Sequence, residues 1–99
     1  MNTPWGPSQN WEKIAPGIFS HSTASHGGFH LSAERLAAMP EHLKVPGWGG
    51  NAARGWFEED CDAALVMLAF PEHFPHAQGE SGAAMRSVAE HSCGVTFPK

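Results

Sequence analysis

The residues of this chain best suited to chemistry lie in one short segment, residues 22–28, where small hydroxyl side chains lead to His26 and two glycines. An imidazole beside a hydroxyl is the pairing used in nucleophilic catalysis, because the histidine can take the proton of the attacking group. Neutral imidazoles also bind zinc, and His21 and His30 flank His26 at short spacing. Since glycine lets the backbone approach a partner closely, we predict an exposed loop that presents His26.

Catalysis by His26 would need a nucleophile or a metal ion beside it, and the sequence gives no clear signal for either. The Gly-x-Ser-x-Gly nucleophile elbow is absent, and the spacing of the three histidines fits no common zinc motif. Cys61 is a possible nucleophile, but the acidic residues around it disfavour the reactive thiolate. We therefore predict no catalytic residue, no bound metal and no cofactor. A small metal-dependent or histidine-based enzyme is the alternative.

The same segment fits a protein-binding surface when it is combined with nearby aromatic and acidic residues. Two tryptophans flank a glycine-rich loop, and acidic residues follow the second one. Aromatic side chains are enriched in recognition surfaces, although these two could also anchor the loop to the core. In a third, purely structural interpretation, His26 hydrogen-bonds the acids and the two motifs interlock. The predicted contact residues are Ser25, His26, Gly27, Gly28, Trp48, Trp56, Glu58, Glu59 and Asp60.

Composition limits the classes of function. The chain has 99 residues, 41% of them hydrophobic and 16% charged, which predicts one globular domain over residues 1–99 with an extended arm at 1–8 and a tail at 92–99. The net charge of −4 and the scattered basic residues argue against direct binding of nucleic acid. No apolar run reaches the ~18 residues typical of a membrane span, and the first residues do not resemble a signal peptide. The expected location is the cytoplasm.

The elements that position these residues follow from turn and capping signals. Pro16 and Gly17 predict a turn between two strands, the loop at 25–28 precedes a short third strand, and Ser32 is a suitable helix N-cap. Acidic residues before an apolar run predict the central core helix, because they complement the helix dipole. The fold class is α+β, with a small N-terminal antiparallel sheet or hairpin packed on two or three helices. The predicted strands are 9–15, 18–24 and 29–31, and the predicted helices are 33–39, 58–70 and 83–91.

Several unusual motifs occur together and in order along the chain. They are TPWGPxQ at 3–9, IAPGI at 14–18, STASHGG at 22–28, ER at 34–35 and WFEEDCDxAL at 56–65. This combination resembles an uncharacterised domain in proteins of bacterial phages, plasmids and integrative elements, over residues 3–74. The resemblance implies a mobile-element setting and assigns no functional residue.

The resemblance and the composition together suggest a function. Small proteins of mobile elements are often counter-defence factors that inhibit CRISPR or restriction systems. We therefore expect a small non-enzymatic binding protein that occupies the surface of a protein partner, such as a bacterial defence complex.

Overall fold

A four-stranded antiparallel sheet forms the centre of the computed structural model, which describes residues 2–24, 26–45, 50–59, 62–75, 80–92 and 95. Four residues singled out from the sequence, Ser25, Trp48, Asp60 and Cys61, lie outside the described residues. So do most of the residues of the predicted tail, 92–99.

The strands form two antiparallel sheets. A small hairpin pairs β1 with β2, and the main sheet has the order β3-β4-β5-β6. The predicted turn at Pro16 and Gly17 connects β3 to β4, and Gly17 adopts a φ of 79° that a residue with a side chain rarely takes. The strands within the described residues are β1 (Asn2–Thr3), β2 (Gly6–Pro7), β3 (Asn10–Ala15), β4 (Ile18–Ser22), β5 (Gly27–Leu31) and β6 (Trp56–Glu58).

In the part of the chain that the structure describes, three α-helices accompany the sheet: α1 (Ala33–Ala38), α2 (Ala63–Ala69) and α3 (Glu80–Ser92). The predicted cap of α1 is confirmed, because the Ser32 hydroxyl accepts a hydrogen bond from the Arg35 amide at 3.2 Å. Short 3₁₀ turns lie between the helices and strands, one of them at Pro71–His73 directly after α2. Among the described residues, no helix is long and apolar enough to cross a membrane.

The core lies between one face of the main sheet and the helices. Ile18, Leu31 and Phe57 point to this face, and each is almost fully buried. Leu65 and Val66 of α2 are likewise buried and belong to the same cluster. The predicted α+β architecture, a small antiparallel sheet packed on helices, is thereby confirmed.

The helix predicted over residues 58–70 is shorter than expected and starts at Ala63. Glu58, the first residue of the predicted helix, instead ends the edge strand β6, in which Phe57 pairs with Phe29 of β5. Pairing of aromatic residues between strands stabilises a sheet, and here it outweighs the preference of acidic residues for a helix start. Gly27 and Gly28 were expected in a loop, but they are the first residues of β5.

The amino-terminal hairpin is fixed to the body of the protein by Trp5, which is the role expected of a large apolar residue in a turn-rich arm. Thr3 closes the hairpin turn, since its hydroxyl accepts from the Trp5 amide and donates to the Gly6 carbonyl. The Trp5 side chain is buried and packs edge-to-face on Trp56, with ring centroids 5.9 Å apart. This contact places the hairpin against the sheet face that is remote from the core.

Candidate functional site

The sheet face opposite the core carries a group of imidazole and aromatic side chains. The strand register pairs Trp11 with His21, and pairs Phe19 and Trp56 with His30 on either side. Residues paired across neighbouring strands project on the same side of the sheet. We call Trp11, Phe19, His21, His30 and Trp56 the histidine face.

The rings of the histidine face form two groups in contact. The His30 and Trp56 centroids are 4.1 Å apart, and the His21 and Trp56 centroids are 5.5 Å apart. Trp11 and Phe19 form a second tilted pair at 6.2 Å. The pair on β3 and β4 and the group that extends from β4 to β6 thus share one side of the sheet.

A groove of about 500 Å³ opens on this face at its β3–β4 end. This volume lies within the range of ligand-binding clefts, which is roughly 300–1,000 Å³. Trp11 stands beside the groove with 67% of its surface exposed, whereas the other large hydrophobic residues of the described chain are at least partly buried. The groove is lined by Ser8, Gln9, Trp11, Phe19, His21 and His30.

His21 is the most constrained residue of the groove. It is 4% exposed, its Nδ1 lies 2.9 Å from the Ser8 hydroxyl, and its Nε2 has no hydrogen-bond partner among the described residues. Burial lowers the pKa of His21, and the neighbouring His30 lowers it further; burial also lowers the pKa of His30. Both imidazoles are therefore neutral at pH 7, and they contribute polar atoms to the groove without charge.

The contact between Ser8 and His21 has the residue types of a nucleophile and its base, but its geometry favours a structural role. The Ser8 hydroxyl donates to the Asn10 carbonyl at 3.1 Å, and a proton on His21 Nδ1 can then be donated to the same hydroxyl oxygen, so the imidazole need not act as a base. A catalytic base is in turn held by a third group, and the second nitrogen of His21 has none in the described part of the chain. The contact holds the segment after β2 against the sheet.

The lowered pKa values of His21 and His30 predict how stability depends on pH. Because the unfolded histidines titrate near 6.5 and the folded ones at lower pH, the unfolded state binds more protons in this interval. The contribution of the two histidines to stability is therefore fully present above about pH 6.5. It is lost as the pH falls through their lowered pKa values. Urea unfolding at several pH values between 7.5 and 5 should show this loss. His30→Gln should reduce the slope, whereas His91→Gln, at an exposed position on α3, should leave it unchanged.

His26 and the acidic motif lie side by side in the described part of the chain. His26 Nδ1 lies 3.5 Å from a carboxylate oxygen of Glu58, and the Glu59 amide donates to the Gly27 carbonyl at 2.9 Å. The Glu58 side chain is 9% exposed and that of His26 is 46% exposed. We call His26, Glu58 and Glu59 the carboxylate cluster.

The remaining predicted contact residues occupy different environments. Gly27 and Glu58 are buried, so they support the surface more than they form it. Gly28 lies below the Trp5 ring, and Trp56 belongs to the histidine face. His26 and Glu59 are exposed and available to a partner. The three histidines do not share one ligand set: among the described residues, His26 groups with Glu58 and Glu59, and not with His21 or His30.

Sequence reasoning missed the groove and its residues Ser8, Trp11 and Phe19. One signal was present, because Phe19 and His21 alternate on a predicted strand and so share a face. The pairing of that face with Trp11, and the position of Ser8 over it, depend on contacts between residues distant in sequence.

Comparison with known proteins gives a family and no described activity. No curated protein and no solved structure matches the chain. One family model does match, and its range includes the residues after 74 that the sequence resemblance left out. That resemblance to an uncharacterised domain is confirmed: the chain belongs to the family described as Domain of unknown function (DUF7007), whose model matches residues 1–98.

Proposed function

We propose that this chain is a non-enzymatic binding protein that recognises an extended segment of a protein partner at the β3–β4 end of the histidine face. The observation that carries the proposal is the exposure of Trp11, 67%, beside a groove of about 500 Å³. Tryptophan is enriched among the residues that dominate binding energy, because it buries a large surface at a small cost in side-chain entropy.

The position of β3 supports an extended partner. The strand order places β3 at the edge of the main sheet, with β4 on one side. An extended peptide can add to such an edge through backbone hydrogen bonds while its alternate side chains enter pockets on one face. The groove beside β3 would take one of those side chains against Phe19 and the neutral imidazoles of His21 and His30. An apolar or aromatic side chain of the partner fits this lining.

The biological role that we propose for this binding protein is counter-defence. The motifs resemble those of proteins from phages and plasmids, where small binding proteins often block host defence. The proposed partner is a subunit of a bacterial defence complex, such as a CRISPR or restriction system. The contact would inhibit the complex by covering its surface, with no chemical step.

Trp11→Ala is expected to weaken partner binding strongly and leave the fold intact, because the side chain is mostly exposed in the free protein. Loss of one such anchor typically weakens an interface by about 2 kcal/mol or more, which is roughly thirtyfold. The measurement is affinity capture with tagged protein in a host that carries active defence systems, followed by titration with the purified partner. A plaque assay with the same variants reports on the counter-defence role.

Glu12→Ala is the matched control, since Glu12 is exposed on the same strand and projects to the opposite face. It should bind as well as the wild-type protein. The proposal is overturned if Trp11→Ala binds with unchanged affinity. In that case, loss of binding in His26→Ala and Glu59→Ala would move the interface to the carboxylate cluster.

A further inference from the structure

We propose that the carboxylate cluster of His26, Glu58 and Glu59 is a binding site for one divalent transition-metal ion. Each of the three residues offers one ligand atom, and these atoms all lie within 4.8 Å of one another. Imidazole nitrogen and carboxylate oxygen are both ligands of Zn²⁺ and its first-row neighbours. The site shares no residue with the histidine face, and it does not rest on the binding function proposed for that face.

The backbone holds the three ligand residues in place before any ion arrives. His26 lies in the turn between β4 and β5, where its amide donates to the Thr23 hydroxyl and its carbonyl accepts from both the hydroxyl and the amide of Thr23. Glu58 is fixed by the pairing of β6 with Gly28, and Glu59 by its amide hydrogen bond to Gly27. Metal binding would therefore require side-chain adjustment but little ordering of the chain.

The distances suit a tetrahedral ion. Ligand atoms about 2.0–2.2 Å from a tetrahedral metal are roughly 3.4 Å from each other. His26 Nδ1 and the nearer oxygen of Glu58 are 3.5 Å apart, which is close to this separation. The three ligand atoms all lie within 4.8 Å of one another, so the exposed side chain of Glu59 can adjust to complete the ligand set.

Charge and exposure also favour an ion at this position. Two carboxylates and a neutral imidazole carry a charge of −2, which a divalent ion cancels. Glu58 is more than nine-tenths buried, and a buried carboxylate is stabilised by a cation that replaces part of its lost hydration. His26 and Glu59 are exposed and leave one side of the site open. Three protein ligands and an open position are the arrangement that lets zinc hold a water molecule or a fourth ligand.

The test is calorimetric titration of the metal-free full-length chain with Zn²⁺. One equivalent should bind to the wild-type protein. His26→Gln and Glu59→Gln should each weaken binding at least tenfold, because each removes one of three ligands. The matched controls are His91→Gln and Glu34→Gln, which change exposed residues elsewhere and should bind like the wild-type protein.

A second measurement separates loss of the ligand from loss of the fold. Zn²⁺ should raise the unfolding temperature of the wild-type protein and of Trp11→Ala, since an ion that binds only the folded state stabilises it. It should not raise that of His26→Gln or Glu59→Gln. The proposal is overturned if no zinc binds at one equivalent, or if both ligand variants bind as tightly as the controls. Zinc binding by Trp11→Ala would stand even if the proposed partner interface were wrong.

Discussion

Phe57→Ala is expected to lower the free energy of unfolding by about 3–5 kcal/mol, the largest effect among single truncations of the core. Phe57 is 1% exposed and is among the largest fully buried side chains. It lies on the edge strand β6, pairs with Phe29 and belongs to the same cluster as Leu65 of α2. Its removal would leave a cavity between the sheet and the helices. Urea unfolding followed by far-UV circular dichroism measures the loss.

Phe19→Ala provides the control of the same residue type. Phe19 is partly exposed and lies on the histidine face, so its truncation leaves no closed cavity. The expected loss is well below that of Phe57→Ala. Equal losses in the two variants would contradict the assignment of the core to the opposite face of the sheet. Because domains of this size are stable by only about 5–15 kcal/mol, Phe57→Ala should also unfold at a markedly lower temperature.

Gly28→Ala is expected to destabilise the protein by about 3 kcal/mol, although it adds one methyl group. The new Cβ would lie 2.1 Å from the Phe57 carbonyl oxygen and 2.7 Å from the Trp5 ring. Neither contact is possible without movement, and one of them is with backbone. β6 and the amino-terminal hairpin must therefore both shift. Urea unfolding gives the loss of stability, and near-UV circular dichroism reports the displaced tryptophan.

Ser22→Ala is the control for a substitution elsewhere in the β4–β5 hairpin. It tests whether the loss of stability is specific to position 28. Ser22 is exposed at the end of β4 and pairs with Gly27. Its replacement should change the stability by less than about 0.5 kcal/mol. If Gly28→Ala were as mild as Ser22→Ala, the close approach of Trp5 and Phe57 to Gly28 would be wrong.

The elements predicted correctly are those whose signals are local. The turn at Pro16 and Gly17 fixes the β3–β4 hairpin through backbone preferences of two adjacent residues. Ser32 begins α1 through a hydrogen bond that spans three residues. The anchoring role of Trp5 also followed from its position as a large apolar residue in a turn-rich arm.

The errors concern residues whose structure depends on distant partners. Glu58 is the first residue of the predicted helix, but together with Trp56 and Phe57 it pairs with β5, which is distant in sequence. Gly27 and Gly28 have the composition of a loop, and only the proximity of Trp5 and Phe57 explains why glycine is required within a strand.

The candidate sites likewise combine features that local sequence signals predict with features that depend on residues distant in sequence. The sequence predicted an association between His26 and the acidic motif, because both motifs were conspicuous and of complementary chemistry. It did not predict the contact between Ser8 and His21, which forms only when the amino-terminal hairpin folds over the sheet. The exposure of Trp11 was equally inaccessible, since a tryptophan on a strand has no local signal that separates a core position from a surface one.

The amino-terminal hairpin is part of the groove as well as a cover for the sheet. Its Trp5 packs on Trp56, while Ser8 and Gln9, which follow β2 directly, form one side of the groove. A ligand that contacts Ser8 or Gln9 thus binds best when the hairpin is in place. Docking of the hairpin and occupancy of the groove are then linked equilibria, in which each process favours the other by the same free energy.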